Sequence, residues 1–342
     1  MNEPIFLSAI LYYIYLQLFP LQTYLFIRDN REDFVTETII AALLPIVVTL
    51  LLGFLAGWHH DFDAKQGTIL NRMVMLYALP LTLFAGMMGL SRSVLLEQGS
   101  MAIVILIGMV GGYVVVYQLA RHVFRQPSKI AALLALAISG PAVPFVGVPV
   151  LGHLFGDLST IPIALCSIIM NLFQVPVTIL ILSSGNADGT KTTFKDSLVH
   201  TLKEPVVWAP ILALILLMCD LHIPAQIRSS LQLLGGATGG VALFASGIIL
   251  YSFHVAFNRT IAMAILAKNI LLPFAALGVA LLFKVDTTTL SLSVISIAIP
   301  TASICVILAV QYKTAEQEMA STLFFSTLLS ILTMGGFLYY LH

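Results

Sequence analysis

Apolar positions dominate this chain, and its charges fall at intervals. Stretches free of Asp, Glu, Lys and Arg run 38–60, 73–91, 98–120, 130–156, 158–187, 205–219, 229–258, 269–283, 287–312 and 319–342. A helix needs about 20 apolar residues to cross the hydrocarbon core of a bilayer, and most of these stretches supply them. The two short ones each have a reason. Glu204 and Asp220 bound 205–219 and can sit at the two interfaces, and Lys268 interrupts an apolar run that otherwise covers 260–283. The pattern predicts ten spans, at 39–58, 67–90, 99–121, 129–153, 158–182, 204–222, 229–252, 259–283, 287–312 and 316–341. The stretches are apolar on every face, whereas a barrel strand alternates apolar and polar residues over about 10 positions. The fold class expected is an all-α polytopic membrane protein.

Composition agrees. Of 342 residues, 59% are hydrophobic and 9% charged, with 16 Lys and Arg against 16 Asp and Glu. A soluble domain carries about 25% charged residues, so this balance excludes a soluble enzyme and a disordered chain. It also excludes a nucleic-acid binder, which needs a basic patch. Cys166, Cys219 and Cys305 are odd in number and lie in apolar runs, which argues against a disulfide framework.

Residues 1–37 form an apolar N-terminal extension. Its segment 4–27 is rich in Tyr and holds Pro20. It lacks the basic start and small-residue cleavage site of a signal peptide. An interfacial helix, an eleventh span and a poorly ordered extension remain as readings, the first being favoured. If span 1 starts outside, the inside loops hold nine basic residues: Lys65, Arg121, Arg125, Lys129, Lys191, Lys195, Lys203, Arg259 and Lys313. The outside loops hold three: Arg92, Arg228 and Lys284. Lys and Arg concentrate on the cytoplasmic side, so both ends of the ten-span core are expected outside an inner membrane. A spanning 4–27 segment would place Arg28 and Arg31 outside, against that rule.

The loop 183–203 is then cytoplasmic. Within it Phe194, Leu198 and Leu202 recur at helical spacing beside Lys191, Lys195 and Lys203, the pattern of a helix lying on a membrane surface. This linker divides the chain into a first five-span half, 38–182, and a second, 204–342.

The halves share short matches. Leu44-Pro45-Ile46 in span 1 resembles Ala209-Pro210-Ile211 in span 6, at offset 165. Leu83-Phe84-Ala85 matches Leu243-Phe244-Ala245, at offset 160. The approach to Pro141 in span 4 resembles the approach to Pro300 in span 9, at offset 159. Spans 3 and 8, and 5 and 10, show no convincing match. An odd number of spans per repeat inverts the second half, and inverted repeats mark secondary transporters that bind substrate at broken helices near the midplane. Span 4 carries Gly140, Pro141, Pro144, Gly147 and Pro149 within ten residues. A proline removes a backbone donor and displaces a carbonyl, so span 4 cannot be one continuous helix. Span 9 has Pro300 alone, compatible with a break or a simple kink. A break must face a polar cavity or protein, because lipid cannot satisfy its backbone.

These residues resemble the auxin efflux carrier family, which includes bacterial malonate- and malate-type permeases and the plant PIN auxin exporters. The resemblance rests on Leu70-Asn71-Arg72 leading into Tyr77 through Phe84, on Gly140 through Gly147, on Lys203 through Pro210, and on Gly240 through Gly247, and covers about 38–341. It implies ten helices in two inverted five-helix repeats, with the proline-broken helices 4 and 9 crossing. Helices 1, 2, 6 and 7 would form a scaffold, often a homodimer interface. Helices 3–5 and 8–10 would form a transport unit that moves in an elevator fashion. It further implies small organic anions as substrates, by secondary active or facilitative transport, and no cofactor.

Individual residues sharpen this. Lys268 lies about 14 Å along the helix from Arg259, deep in an apolar run. An intramembrane charge marks a pathway or a pair; snorkelling to the interface is the alternative. Beside it is Asn269. Asn171 and Gln174 share one helix face of span 5, and their amides suit substrate oxygens or unwound backbone. Ser139, Thr301 and Ser303 flank the breaks as hydroxyl donors, or bond back to their own helices. Arg72, at the cytoplasmic start of span 2, reads as a pathway cation or an interfacial anchor. His59 and His60 with Asp61 and Asp63 read as a solvated loop rather than a metal site. No nucleophile–base motif occurs, so no enzyme is expected. No carboxylate sits mid-span, which disfavours a bile-acid-type sodium symporter. A channel or a sensor on a transporter fold is the other alternative.

Overall fold

The computed structural model describes residues 44–89, 99–184, 199, 202–252 and 257–341. The extension 1–37 and most of the linker 183–203 lie outside the described residues. Among the described residues the protein is helical, with one isolated backbone bridge and no strand. Six helices are long and apolar enough to cross a membrane: α2 (Ala64–Met87), α3 (Gly99–Val123), α6 (Ile161–Ser183), α8 (Ala225–Ser252), α9 (Arg259–Leu282) and α12 (Glu316–Leu341). Four apolar helices are shorter: α1 (Leu44–Trp58), α4 (Ser128–Ser139), α7 (Pro205–Met218) and α10 (Thr287–Ala298). Two more follow the proline breaks, α5 (Val148–Phe155) after α4 and α11 (Ile304–Gln311) after α10. The break at Pro300 is therefore real and not a kink.

Helix starts are set by local chemistry. Asp63 caps α2 by accepting from the Gln66 N–H at 2.7 Å, and Gln66 returns the bond to the Asp63 N–H at 2.8 Å. This reciprocal capping box accounts for Asp63, while His59, His60 and Asp61 stay exposed. Asn258 caps α9 and Asp286 caps α10 by a single bond each, accepting from the N–H groups of Ile261 and Thr289. Pro224 immediately precedes α8, which starts at Ala225 rather than at 229. Arg228 thus lies inside the helix and not, as its charge suggested, in the loop before it.

Four helical stretches contain a π turn that ends two residues before a proline. The pairs are Val74–Ala78 before Pro80, Met170–Gln174 before Pro176, Ala267–Leu271 before Pro273, and Val143–Gly147 before Pro149. A proline ring clashes with the carbonyl four residues back, and that carbonyl lies inside the π turn each time. Widening the turn relieves the clash without ending the helix. Such bulges also re-aim side chains and recur at functional sites; here they carry Gln174, Lys268 and Asn269.

The helices pack in two groups. α2 lies against α7 and α8, and α1 and the turn after it join them through the Phe54–Tyr251 and Phe62–Phe244 ring contacts. A β-carbon at Gly53 would overlap the Phe244 carbonyl oxygen, and one at Gly247 would overlap the Leu50 carbonyl oxygen. Small residues let helix backbones approach where lipid removes the hydrophobic drive for association. The second group packs α4 on α3 and α6, and α10 on α9 and α12. One apolar core joins the groups, including Leu50, Met75, Met109, Leu133, Leu136 and Val306. Many large apolar side chains remain exposed, among them Leu52, Val115, Leu281 and Leu332. A soluble monomer rarely shows so much apolar surface; a bilayer solvates it. The protein is a multi-pass membrane protein.

Candidate functional site

α4 ends at Ser139 and α10 at Ala298, and the two extended segments that follow cross. The Ala142 N–H donates to the Pro300 carbonyl at 2.9 Å, and the Ala302 N–H donates to the Gly140 carbonyl at 3.1 Å. This antiparallel pair centres on Pro141 and Thr301. It answers the accounting problem of broken helices in a membrane: backbone groups released from each helix are satisfied by the other. Gly140 is required by space, since a β-carbon there would stand 2.6 Å from the Leu136 carbonyl oxygen. Thr301 ties the breaks together further, its hydroxyl donating to the Ala137 carbonyl of α4 at 2.9 Å.

Polar side chains from the π turns brace both sides. On one side the Gln174 amide Nε2 donates to the carbonyls of Met109 (3.0 Å) and Ser139 (3.2 Å), and to the Ser139 hydroxyl (2.9 Å). Gln174 thereby joins α6 to α3 and to the end of α4. Its carbonyl Oε1 is buried without a partner. On the other side Asn269 donates to the Ser326 carbonyl at 2.9 Å and accepts from the Ser326 hydroxyl at 2.8 Å. The Ser326 hydroxyl lies 3.3 Å from both the backbone N and the hydroxyl of Thr301. The chain Asn269–Ser326–Thr301 thus runs from α9 through α12 to the crossing.

Lys268 is fully buried, and its Nζ donates to the Ile297 carbonyl at 3.2 Å. Ile297 is in the last turn of α10, where helix carbonyls concentrate partial negative charge. The ammonium therefore sits on the negative end of a half-helix just before the crossing, and does not snorkel. It is the one charged side chain fully buried among the described residues, and no buried carboxylate accompanies it there. An ammonium has three donors; Ile297 takes one.

A small cavity of about 10 Å³ lies at the crossing, lined by Pro300, Thr301, Ser303, Ala142, Thr327 and apolar neighbours. That is room for about one water. The Thr327 hydroxyl on its wall is buried without a partner.

The structure brings together Ser139, Gly140, Pro141, Gln174, Lys268, Asn269, Pro300, Thr301 and Ser303 around the crossing. Pro144 and Gly147 belong to the π turn that follows it, Gly147 packing near Ile299. Asn171 is buried on the same π turn as Gln174, but none of the bonds described here reaches it. Ser139 does bond back to its own helix, at Ala135, while also accepting from Gln174. Arg72 is not at the crossing; it lines a separate cavity with Asn71. Sequence reasoning missed Ser326, Asn71 and the carbonyls of Met109, Ala137 and Ile297. Backbone acceptors leave no mark in a sequence, and Ser326 is one serine among many. Among the described residues no group of three His, Cys, Asp or Glu is placed to hold a metal ion.

Comparison with known proteins gives the same class. Residues 38–338 match the family described as membrane transport protein. An uncharacterized transporter of Escherichia coli, YfdV, is 32% identical over 88% of this chain and 96% of its own length. An uncharacterized transporter of Methanocaldococcus jannaschii is 24% identical over 86% of this chain and 96% of its own. With the family matched over nearly its whole helical part, this chain belongs to the membrane transport protein family, the auxin efflux carrier family that its sequence resembles.

Proposed function

We propose that this protein carries small organic anions, of the malonate, dicarboxylate or auxin-like type, across an inner membrane by secondary active or facilitative transport. The observation that carries the reading is Lys268: a fully buried cation on the α10 end, beside two crossed helix breaks, with no buried carboxylate near it among the described residues. A charge held there without a carboxylate partner suits an anionic substrate. The half-helix that begins with the π turn at Val143 and runs into α5, and the start of α11, follow the crossing, and helix N-termini favour anions.

The architecture of the proposal is ten helices in two inverted repeats of five. Two features support it. The crossing pairs Pro141 with Thr301, next to Pro300. In addition, π turns recur in α3 at Ile107–Gly111 and in α9 at Ala267–Leu271, 160 positions apart, although their sequences show no match. The packing group of α1, α2, α7 and α8 would be the scaffold and the homodimer contact. The other group would move as an elevator, with the linker 183–203 cytoplasmic. A bile-acid-type sodium symporter is less favoured, because the crossing offers amides, hydroxyls and a fixed ammonium in place of a carboxylate. Labelled malonate uptake into proteoliposomes tests the reading: saturable uptake supports it, and absence of both uptake and binding of any small carboxylate sinks it.

A further inference from the structure

A second cavity, of about 380 Å³, lies between α2 and the end of α11 and shares no lining residue with the cavity at the crossing. One wall is α2, with Asn71, Arg72 and Met75. The opposite wall is the end of α11, with Val310 and Gln311, and Glu204 closes the rim just before α7. The volume is within the range of small-molecule sites. Asn71 is the telling residue. It is 2% exposed, and neither its amide nitrogen nor its amide oxygen has a hydrogen-bond partner. A buried amide left without a hydrogen bond is destabilising, so such a side chain calls for an explanation. The neighbouring Arg72 is exposed and supplies a cation at the mouth.

We propose that this cavity is a loading site for a small carboxylate, held by the Arg72 guanidinium and the Asn71 amide before the anion reaches the crossing. The proposal rests on the organic-anion reading above. An arginine fork matches a carboxylate, and the Asn71 nitrogen, covered and without a partner in this state, supplies a further donor once its side chain turns toward the same group. Met75 and Val310 give the apolar wall that a carbon skeleton needs. Glu204 is the one carboxylate on the lining, and it is itself partnered. Together with Arg72 it leaves the cavity close to neutral, so an anion is received weakly and can pass on.

The test is malonate uptake into proteoliposomes at several malonate concentrations and two ionic strengths, with labelled malonate as the probe. Wild type is compared with Arg72→Gln, Arg72→Lys and Asn71→Leu. Losing a charge-assisted pair is expected to raise KM about tenfold in Arg72→Gln, with Vmax within about twofold. Arg72→Lys, which keeps the charge and loses the fork, should fall between wild type and Arg72→Gln, and the rise of KM with salt should be smaller in Arg72→Gln than in wild type. Asn71→Leu should raise KM about fivefold. Size-exclusion profiles in detergent identify a variant that fails to fold, and the exposed Arg72 variants keep the test open if Asn71→Leu does. Unchanged KM and salt dependence in Arg72→Gln, with wild type transporting, overturns the loading site alone. No carboxylate uptake or binding by wild type overturns the organic-anion reading, and the loading site with it.

Discussion

Replacing Lys268 by Met removes the buried ammonium while keeping an unbranched side chain of similar length. The structure sets the size of the effect. Nζ gives one bond of 3.2 Å to Ile297 and has two donors left for a ligand. A substrate carboxylate about 5 Å from the ammonium, at an effective dielectric constant near 20, gains about 3 kcal/mol. That corresponds to roughly a hundredfold in affinity, and part of it is recovered by water and local adjustment. The expected change is therefore about 10- to 100-fold weaker malonate binding. Stability should move the other way or not at all, because exchanging a buried charge for an apolar group of similar volume is often neutral or stabilising. The assay is equilibrium binding of labelled malonate to purified protein in detergent, with thermal unfolding of the same samples. An unchanged Kd together with a lower melting temperature would refute the reasoning. Lys268 would then be a clamp on the end of α10 and not a substrate cation.

Thr301→Val keeps the shape of the side chain and deletes the hydroxyl bonded to Ala137. The protein should lose about 1–3 kcal/mol, seen as earlier thermal unfolding; an unchanged melting curve would remove that bond from the crossing. Gly247→Leu places a side chain where the Leu50 backbone already lies. It should abolish a monodisperse elution profile, and a variant eluting and unfolding like wild type contradicts the close α1–α8 contact. Asp286→Ala removes the cap of α10 and should cost about 1 kcal/mol. The Asp286 carboxyl is held below its ordinary value of 3.8 by the Thr289 N–H. A depressed carboxyl contributes stability above its unfolded value and loses it as the pH falls through the folded one. The difference between wild type and Asp286→Ala should thus be constant from pH 5 to 8. It should shrink below about pH 4, and a difference that grows on acidification would reverse the assignment.

Much of this fold is legible in the chain because lipid imposes a strict rule on charge. α12 starts at Glu316 as expected and α9 ends within a residue of its expected limit, since charges mark the start of the first and both ends of the second. The rule misleads where a charge lies inside a helix, as Arg228 does in the first turn of α8. The break in span 4 follows from its prolines, and Gly140 and Pro141 mark it directly. Pro300 alone leaves a kink and a break equally open, and only the reciprocal bonds to Gly140 and Ala142 decide between them. The π turns before Pro80, Pro149, Pro176 and Pro273 have a local cause that proline chemistry explains, yet no periodicity signals them. The candidate site divides along the same line. Side chains with unusual chemistry for their depth, Lys268 and Gln174, stand out in the sequence. Their partners are mostly backbone carbonyls, which every residue possesses. Asn71 stands beside Arg72 in the sequence, but its lack of a partner is a property of packing alone.

The central claim is that a buried cation at two crossed helix breaks serves the passage of a small carboxylate. Its most direct measurement is labelled malonate uptake into proteoliposomes holding the purified protein, with unlabelled carboxylates as competitors and Lys268→Met alongside. The account predicts saturable uptake that other small carboxylates inhibit and that Lys268→Met weakens through a higher KM. Uptake that carboxylates do not inhibit, or that Lys268→Met leaves unchanged, would contradict it.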